Sequence, residues 1–442
     1  MVQGIVIIAS FVFLAILMMA RKIPTFVALL IMAVLTCVVT GVPMVGTDDK
    51  GAQIGWLQTI IEAGASRMAT AFAASIFGAW LGQLMNQTGI TETIIKKSAE
   101  LGGDRPLAVA FILMVANSLL FTTLSGLGSV IMVGSIFMPI LISIGIPAVL
   151  AACFFLMSFN IGLTFNMTNW VTYKSIFSLE IPVIQGFYTY MLVVTSVVTF
   201  AFLLIEYFRH GRKFAFSAPV EGSQIPKRDG DSAQSRPLKG VTGVLAMFSP
   251  IIPIFMVVFL KVPVNPAFIV GIIWLTIFTA KSFSKAMNLL IKTAYDGIAM
   301  VAPAMLLFVG IGILFLAVTH PMVKAILNPF LLAVVPSNRI VFVIFFSILA
   351  PLSLFRGPLN LFGLGSGIAA LIMGLGTLNP LAVMGAFLSA ERIQGCGDPT
   401  NTQNAWTASF AEVDVNVITR KILPYLWIIA VIGVIITAVV YF

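Results

Sequence analysis

One polar segment interrupts the apolar sequence near its end: Gly395-Cys396-Gly397-Asp398-Pro399-Thr400-Asn401-Thr402-Gln403-Asn404-Ala405-Trp406. Glycine and proline break this segment, and long apolar runs lie before and after it. Polar backbone at membrane depth survives only where it lines a cavity or is buried in protein. A less polar break, Phe165-Asn166-Met167-Thr168-Asn169-Trp170, lies about 232 residues earlier. Paired breaks in the two halves of a chain are typical of a transport site.

The composition is that of an integral membrane protein. Of the 442 residues, 60% are hydrophobic and 9% are charged, whereas a soluble chain carries about 25% charged residues. Apolar runs of about 17 to 25 residues recur, which is the length that crosses the hydrocarbon core as a helix. We therefore predict an all-α polytopic protein that spans a lipid bilayer, in bacteria the cytoplasmic (inner) membrane.

A hydrophilic stretch divides the chain almost in half. It carries seven basic residues between Arg209 and Lys239, and cytoplasmic loops collect Lys and Arg. The predicted organisation is an N-terminal membrane repeat at 1–208, a cytoplasmic linker at 209–240 and a C-terminal membrane repeat at 241–442. The same rule accounts for the net charge of +9, so no nucleic-acid partner is expected.

Residue matches in register support an internal repeat. The matched pairs are Glu62 and Asp296, Thr88 and Thr319, Arg105 and Arg339, Gly126–Ser129 and Gly363–Ser366, Pro147 and Pro380, Thr168-Asn169 and Thr400-Asn401, and Phe177 and Phe410. An odd number of membrane segments in each half gives the two halves opposite orientations, as in many secondary transporters. We predict two inverted-topology repeats with about 10–14 membrane segments, each repeat containing broken helices or re-entrant hairpins.

Two Gly-Leu-Gly-Ser elements and the two polar breaks are the candidate binding elements. Glycines expose backbone N–H and C=O groups, and serine adds a hydroxyl group. A helix N-terminus attracts an anion and exposed carbonyls suit Na⁺, whereas the alternative role of such glycines is close helix packing. The predicted substrate-binding residues are Ser125, Gly126, Gly128, Ser129, Asn166, Thr168, Asn169, Arg356, Asn360, Gly363, Gly365, Ser366, Thr400, Asn401, Thr402 and Asn404.

Arg356 lies between two apolar runs and has no equivalent in the first half. An arginine at membrane depth costs at least about 2.5–3.5 kcal/mol on insertion scales, so a partner or a function is expected. Its planar fork suits a carboxylate. The alternative is an arginine that reaches to the cytoplasmic interface.

Three residues are candidates for the coupling ion, H⁺ or Na⁺. Glu391 either carries a proton or pairs with Arg392, Asp398 ligates Na⁺ or takes a proton, and Gln403 adds a neutral oxygen. A Na⁺ site is placed near Thr400–Asn404. The alternative is a polar extramembrane loop with an Asp-Pro turn.

The sequence gives little support to an enzyme. It has no nucleophile-elbow motif, phosphate loop or HExxH motif. The three cysteines and two histidines lack metal-ligand spacing. No metal beyond Na⁺ and no cofactor is expected, and the missing nucleotide loop leaves ion gradients as the energy source.

The architecture resembles the ion-transporter superfamily of secondary carriers, which includes gluconate permeases and citrate and dicarboxylate carriers. Thr400-Asn401-Thr402 is similar to the Ser-Asn-Thr motif of the divalent-anion/sodium symporters, with threonine in place of serine. That resemblance implies a substrate carboxylate and an adjacent Na⁺ at this motif. The first-half copy departs from it, since Trp170 follows Thr168-Asn169 where the motif has threonine.

The leading hypothesis is a symporter of a small organic anion, a mono- or dicarboxylate, driven by H⁺ or Na⁺ through alternating access. The alternative is a Na⁺/H⁺ (cation/proton) antiporter without an organic substrate. A channel or membrane scaffold is a third interpretation, against which the repeat argues. The protein is either a monomer or a homodimer, and the sequence does not decide between them.

Overall fold

Two runs of helices build the molecule. The computed structural model describes residues 2–20, 22–47, 51, 53–103, 105–210, 241–280, 282–336 and 338–442. The helices of the first run are α1 Val2–Met19, α2 Thr25–Thr40, α3 Ala63–Arg67, α4 Ala69–Gln87, α5 Ile90–Leu101, α6 Pro106–Leu120, α7 Leu127–Ser143, α8 Ala148–Thr164, α9 Met167–Phe177 and α10 Ile181–His210. A π-helical turn, Leu57–Glu62, leads into α3.

The second run has the same order. Its helices are α11 Val241–Ala246, α12 Ile251–Val258, α13 Val264–Thr279, α14 Phe283–Thr319, α15 Pro321–Val334, α16 Arg339–Leu349, α17 Gly365–Leu375, α18 Pro380–Gly397, α19 Thr402–Phe410 and α20 Val415–Val440. A 3₁₀ segment, Ala350–Arg356, follows α16. Most of the predicted linker, residues 211–240, lies outside the described residues, so the predicted domain boundaries stay a prediction.

The architecture confirms an all-α polytopic membrane protein. Five helical stretches are long and apolar enough to cross a membrane, judged over the described residues. They are Leu57–Gln87, Ile181–Arg209, Phe283–Thr319, Arg339–Arg356 and Val415–Val440. Other apolar helices are shorter: α6 has 15 residues and α7 has 17, which gives lengths of roughly 22 to 26 Å.

Two helices are too short to span a membrane as long apolar runs do. Lys96 and Lys97, which the positive-inside rule would assign to a cytoplasmic loop, lie in α5, and α15 is its counterpart in the second half. The buried face of α5 includes Ile90 and Ile95, while Lys96 is exposed and pairs with Glu92 at 2.5 Å. Both helices are amphipathic connections, for which a test based on long apolar runs has no signal.

The matched residues occupy matching places in the helices. Thr88 and Thr319 lie at the ends of α4 and α14, and Phe177 and Phe410 close α9 and α19. Proline lies at the start of both central helices. Pro147 is the N-cap of α8, and Pro380 is the first residue of α18, where its fixed φ suits the first helical turn. The Glu62–Asp296 match is less regular, since Asp296 lies well inside α14.

Contacts between equivalent helices show that the halves are inverted. Between α10 and α20, Glu206 pairs with Lys421 at 2.8 Å, and the Phe202 and Tyr425 rings lie 4.8 Å apart. Further along, Phe187 faces Tyr441. Residue numbers fall on one helix as they rise on the other, so the two helices are antiparallel. Equivalent helices run antiparallel only if one repeat is inverted relative to the other.

The central pair, α8 and α18, follows the same rule. The Asn160 amide donates to the Arg392 carbonyl at 3.2 Å, and the Arg392 guanidinium donates to the Asn160 carbonyl at 3.2 Å. The two residues are 232 positions apart, so they are equivalent in the repeat. In a two-fold arrangement, equivalent residues touch each other at the axis. A pseudo-two-fold axis therefore passes between α8 and α18.

A third set of equivalent helices, α3 and α4 in the first half and α14 in the second, comes into backbone contact at glycines. A Cβ on Gly64 would lie 2.5 Å from the Ile313 Cα, and one on Gly297 would lie 3.0 Å from the Trp80 nitrogen. These two contacts are related by the same repeat, because Gly64 corresponds to Gly297 and Trp80 to Ile313. Small residues permit this approach between membrane helices. The halves interlock further, since α2 packs on α14 and α13 on α4.

Gly312→Ala is expected to destabilise the protein by about 1–3 kcal/mol or more, as overpacking does in a close-packed interior. Its Cβ would lie 2.2 Å from the Gly64 carbonyl oxygen, a backbone atom that cannot rotate away. The matched control is Gly186→Ala on α10, where no atom lies within 4 Å of the added Cβ. Thermal unfolding in detergent should rank Gly186→Ala at or above the wild type and Gly312→Ala well below it. Equal midpoints would contradict the close contact.

Candidate functional site

The two breaks lie in the helices at the centre of the molecule. α8 is buried over nearly its whole length, and α18 is buried from Ala382 to Gly397. α8 and α9 meet at an angle of 58° across Phe165 and Asn166. In the second half, residues 398–401 separate α18 from α19. Backbone groups freed by a break inside protein need partners.

Each break contacts a helical hairpin of its own half. The first hairpin is α6 and α7, and its tip comprises residues 121–126, called the first tip. The second hairpin is α16 and α17, and the loop at residues 354–364 is called the second tip. Both Gly-Leu-Gly-Ser elements lie where a hairpin's second helix begins, Gly126 capping α7 and Gly365 opening α17.

Asn166 joins the first break to the first tip. Its amide donates to the carbonyls of Phe121 at 2.9 Å and Leu124 at 3.0 Å. Its side-chain oxygen accepts the Asn169 N–H at 3.1 Å and so caps α9. This asparagine is buried and uses its donors and its acceptor. The first connection is therefore electrically neutral.

Asp398 occupies the equivalent position in the second half, 232 residues later. One carboxylate oxygen accepts from the Arg356 N–H at 3.3 Å and the Asn360 amide at 3.5 Å. The other accepts from the N–H of Thr400 at 2.8 Å and from its hydroxyl at 2.7 Å. Asp398 is fully buried, so four donors converge on one carboxyl group inside the protein.

Amides continue the second cluster. Asn404 donates to the Asp398 carbonyl at 2.8 Å, and Asn401 donates to the Gln394 carbonyl at 2.7 Å. Gln403 donates to the Gly395 carbonyl at 3.3 Å. The Asn404 side-chain oxygen is buried without a hydrogen-bond partner. Buried polar atoms without a protein partner are uncommon, so this oxygen is an acceptor that the protein itself does not use.

Glu391 and Arg392 form a separate buried pair on α18. Both side chains are buried, and the guanidinium donates to the Glu391 carboxylate. The Tyr188 hydroxyl, on α10, lies 3.4 Å from each partner. Because Arg392 also binds Asn160, this pair joins the two halves at the pseudo-two-fold axis. The pair and its Asn160 contact form a structural connection between the two halves.

The structure therefore brings part of the predicted set together. Asp398, Arg356, Asn360, Thr400 and Asn404 meet at the second break, with Asn401 and Gln403 beside them. Gly363 packs on the Arg356 carbonyl and Gly365 on the Asn360 backbone, while Ser366 donates to the Gly363 carbonyl. Asn166 and Asn169 meet at the first break. Thr402 is exposed, and Glu391 lies almost two turns from Asp398 along α18.

α4 brings the remaining first-half residues together. Thr168 faces Gly78, its hydroxyl 2.8 Å from a Cβ built there, and Ser129 faces Gly82. Gly126 and Gly128 face the Met300 side chain of α14. The Ser129 hydroxyl donates to the carbonyl of Ser125 at 3.0 Å. These residues line the contact between the first hairpin and the crossing of α4 with α14.

Asn160, Tyr188 and Gly78 are absent from the sequence-based prediction. The repeat separation of 232 residues pairs Asn160 with Arg392, so the repeat itself predicts this contact. Nothing in the sequence around Tyr188 or Gly78 distinguishes them from lipid-facing residues.

The ligand chemistry of the second break is that of hard oxygen donors. A carboxylate, a hydroxyl and amide oxygens suit an alkali cation, and the backbone and amide N–H groups suit an anion. No group of three or more His, Cys, Asp or Glu side chains that could hold a metal occurs in the part of the chain that the structure describes. The carboxylate, hydroxyl and amide oxygens of the second break are the kind of ligand that a sodium ion takes.

The fold is similar to that of two solved transport proteins. The Alcanivorax borkumensis YdaH transporter superposes with a TM-score of 0.59 at 14% identity, covering 94% of this chain and 97% of that one. This chain has a transporter fold. MtrF of Neisseria gonorrhoeae, from a class of antimetabolite efflux pumps, superposes with a TM-score of 0.58 at 12% identity, covering 95% of each chain. No family model and no curated protein matches the sequence.

Proposed function

We propose that the protein is a secondary active transporter of a small organic anion, a mono- or dicarboxylate, coupled to H⁺ or Na⁺. The observation that carries the proposal is the paired construction of the site. Two central helices break at equivalent positions, and each break binds the tip of a hairpin in its own half. Such a site between inverted repeats suits alternating access. The likeness in fold to YdaH and MtrF supports transport in general.

The second break supplies the charged groups of the proposed site. Arg356 lies on the second tip, and its guanidinium donates to the Phe362 carbonyl at 3.3 Å. Asp398, Thr400 and Asn404 provide oxygens for the coupling cation, and the N-termini of α7 and α17 favour the substrate anion. The first break supplies neutral groups, so we propose an asymmetric site. Membership of the ion-transporter superfamily is part of the same proposal.

Arg356→Lys is expected to weaken uptake by about 10- to 100-fold with expression unchanged. A lysine keeps the charge but loses the planar fork that binds a carboxylate through two hydrogen bonds, and a hydrogen bond to a charged group contributes about 1.5–3 kcal/mol. Initial uptake rates in proteoliposomes measure the effect. The matched control is Arg209→Lys, on an exposed arginine at the end of α10. Wild-type uptake in the Arg356 variant would refute its substrate role.

A cation/proton antiporter without an organic substrate is the second candidate. The buried Asp398 carboxylate favours it, because such a group is able to exchange Na⁺ and H⁺ by itself. A substrate screen separates the two candidates. Reconstituted protein is offered a panel of radiolabelled mono- and dicarboxylates, inward and outward, since MtrF belongs to efflux pumps. Counterflow of one carboxylate supports the carrier, and absence of counterflow across the panel supports the antiporter.

A further inference from the structure

The residues that hold the two hairpin tips occupy equivalent positions, but one donates hydrogen bonds to its tip and the other accepts them. Asn166 donates two hydrogen bonds to carbonyls of the first tip. Asp398 accepts two hydrogen bonds from donors of the second tip. Asparagine has both donors and an acceptor, whereas an ionised carboxylate only accepts. The second tip is therefore held by the carboxylate oxygens of Asp398, which a cation or another donor is able to bind instead. The first tip is held by the donor groups of Asn166, which a cation does not bind.

Of the two tips, only the second has positive φ values at residues that carry a Cβ. Phe355 and Arg356 adopt φ values of 55° and 59°, consecutive left-handed positions for residues with a Cβ. In the first tip the left-handed position is Gly126, with φ 83°, where glycine has no steric penalty. Left-handed backbone costs energy at every other residue type and persists only where the surroundings impose it. At Arg356 the Asp398 carboxylate binds the N–H, and the carbonyl packs against Gly363.

We propose that the second tip is a strained gate held closed by Asp398, and that the first tip is a fixed support. When the Asp398 oxygens are no longer available to Arg356 and Asn360, the strain at Phe355 and Arg356 favours opening. Opening then frees the Arg356 N–H and the Asn360 amide, which are donors of the kind a carboxylate accepts. The role of the gate in transport rests on the proposed function, whereas its opening does not.

Among the charged groups around the second tip, Asp398 is the one that binds it. Arg356 is the charged residue of the second tip, and its guanidinium bonds to the Phe362 carbonyl within the same loop. Glu391 and Arg392 lie further along α18 and bind each other. On α20, Thr419 donates to the Gly397 carbonyl, while Lys421 pairs with Glu206. These neighbouring charged groups therefore have partners of their own.

Amide hydrogen exchange of the substrate-free protein in detergent tests the gate. In Asp398→Asn the side chain keeps one acceptor oxygen and gains an NH₂ group. That group faces the four donors that the carboxylate accepts from, so some of their hydrogen bonds are lost. Exchange at residues 354–364 should accelerate at least roughly 10-fold, since hydrogen bonds to a charged group are lost, while residues 121–126 stay at the wild-type rate. Unchanged exchange in the second tip, or equal acceleration in both tips, would overturn the proposal.

Phe355→Gly tests the strain separately and in a protein that retains Asp398. Glycine removes the left-handed penalty, so exchange at residues 354–364 should slow by roughly fivefold or more, the effect of about 1 kcal/mol. The same change in Asp398→Asn should reverse part of its acceleration. The matched control is Glu412→Gly, at φ 55° outside the tip, which should leave the tip unchanged. Exchange that does not slow in Phe355→Gly would overturn the strained gate even if Asp398→Asn fails to fold.

The exchange experiment and the transport assays fail independently. If the second tip opens as expected but the protein moves no organic anion, the gate is supported and the proposed substrate is refuted. If the tip does not respond but the protein accumulates a carboxylate, the gate is refuted and the proposed transport function is supported.

Discussion

Arg392→Met is expected to lower the free energy of unfolding by about 3–5 kcal/mol, the range for removing one partner of a buried ion pair. Arg392 is fully buried, and Glu391 beside it is 1% exposed. Methionine fills similar volume but leaves the carboxylate without its partner. It also removes the bond to the Asn160 carbonyl that joins the two halves. SDS-induced unfolding in mixed micelles measures the change.

Two further variants isolate the charge. Arg209→Met makes the same replacement at an exposed arginine, 3.5 Å from Glu206, which retains Lys421 as a partner; a change within about 0.5 kcal/mol is expected there. Glu391→Gln combined with Arg392→Met removes both charges and should recover most of the lost stability, because the unpaired charge is the main cost. If Arg392→Met is as stable as Arg209→Met, the pair does not hold the halves together.

Asp398→Asn is expected to reduce transport by about 100-fold or more. Four donors converge on this buried carboxylate, and each hydrogen bond to a charged group contributes about 1.5–3 kcal/mol. The amide that replaces it has one acceptor oxygen and no charge for a coupling cation. Initial rates of cation-driven uptake, normalised to reconstituted protein, measure the loss.

The matched control is Asp414→Asn, 16 residues further along the chain. Asp414 is exposed and caps α20 by accepting the Asn416 N–H at 2.6 Å. Asparagine caps helices about as well as aspartate, so wild-type transport is expected. If both variants transport equally, Asp398 is not part of the coupling machinery.

Much of the fold follows from residues whose local effect is strong. Pro147 and Pro380 begin the central helices, the glycines at 126 and 365 lie where α7 and α17 begin, and Asn166 and Asp398 mark the breaks. These residues act through the backbone, so the sequence alone reports them. The inverted repeat was predicted from seven matches, and the antiparallel contacts of α8 with α18 and of α10 with α20 support it.

Other features depend on tertiary contacts. The amphipathic helices α5 and α15 were missed because they have no long apolar run. The contact between Asn160 and Arg392 exists only because the halves fold onto a shared axis. The left-handed backbone at Phe355 had no signal, since phenylalanine has no preference for that conformation. Glu391, predicted as a coupling residue, lies in an ion pair, and its coupling role stays a prediction.

We propose that the protein moves an organic anion, coupled to a cation, through the two breaks. Proteoliposomes carrying the purified protein test it when a Na⁺ gradient and a pH gradient are applied separately, with the identified carboxylate outside. We predict accumulation above equilibrium under one of the two gradients, lost in Asp398→Asn and retained in Asp414→Asn. A pH change on addition of Na⁺ that needs no carboxylate, with no accumulation under either gradient, would contradict the claim.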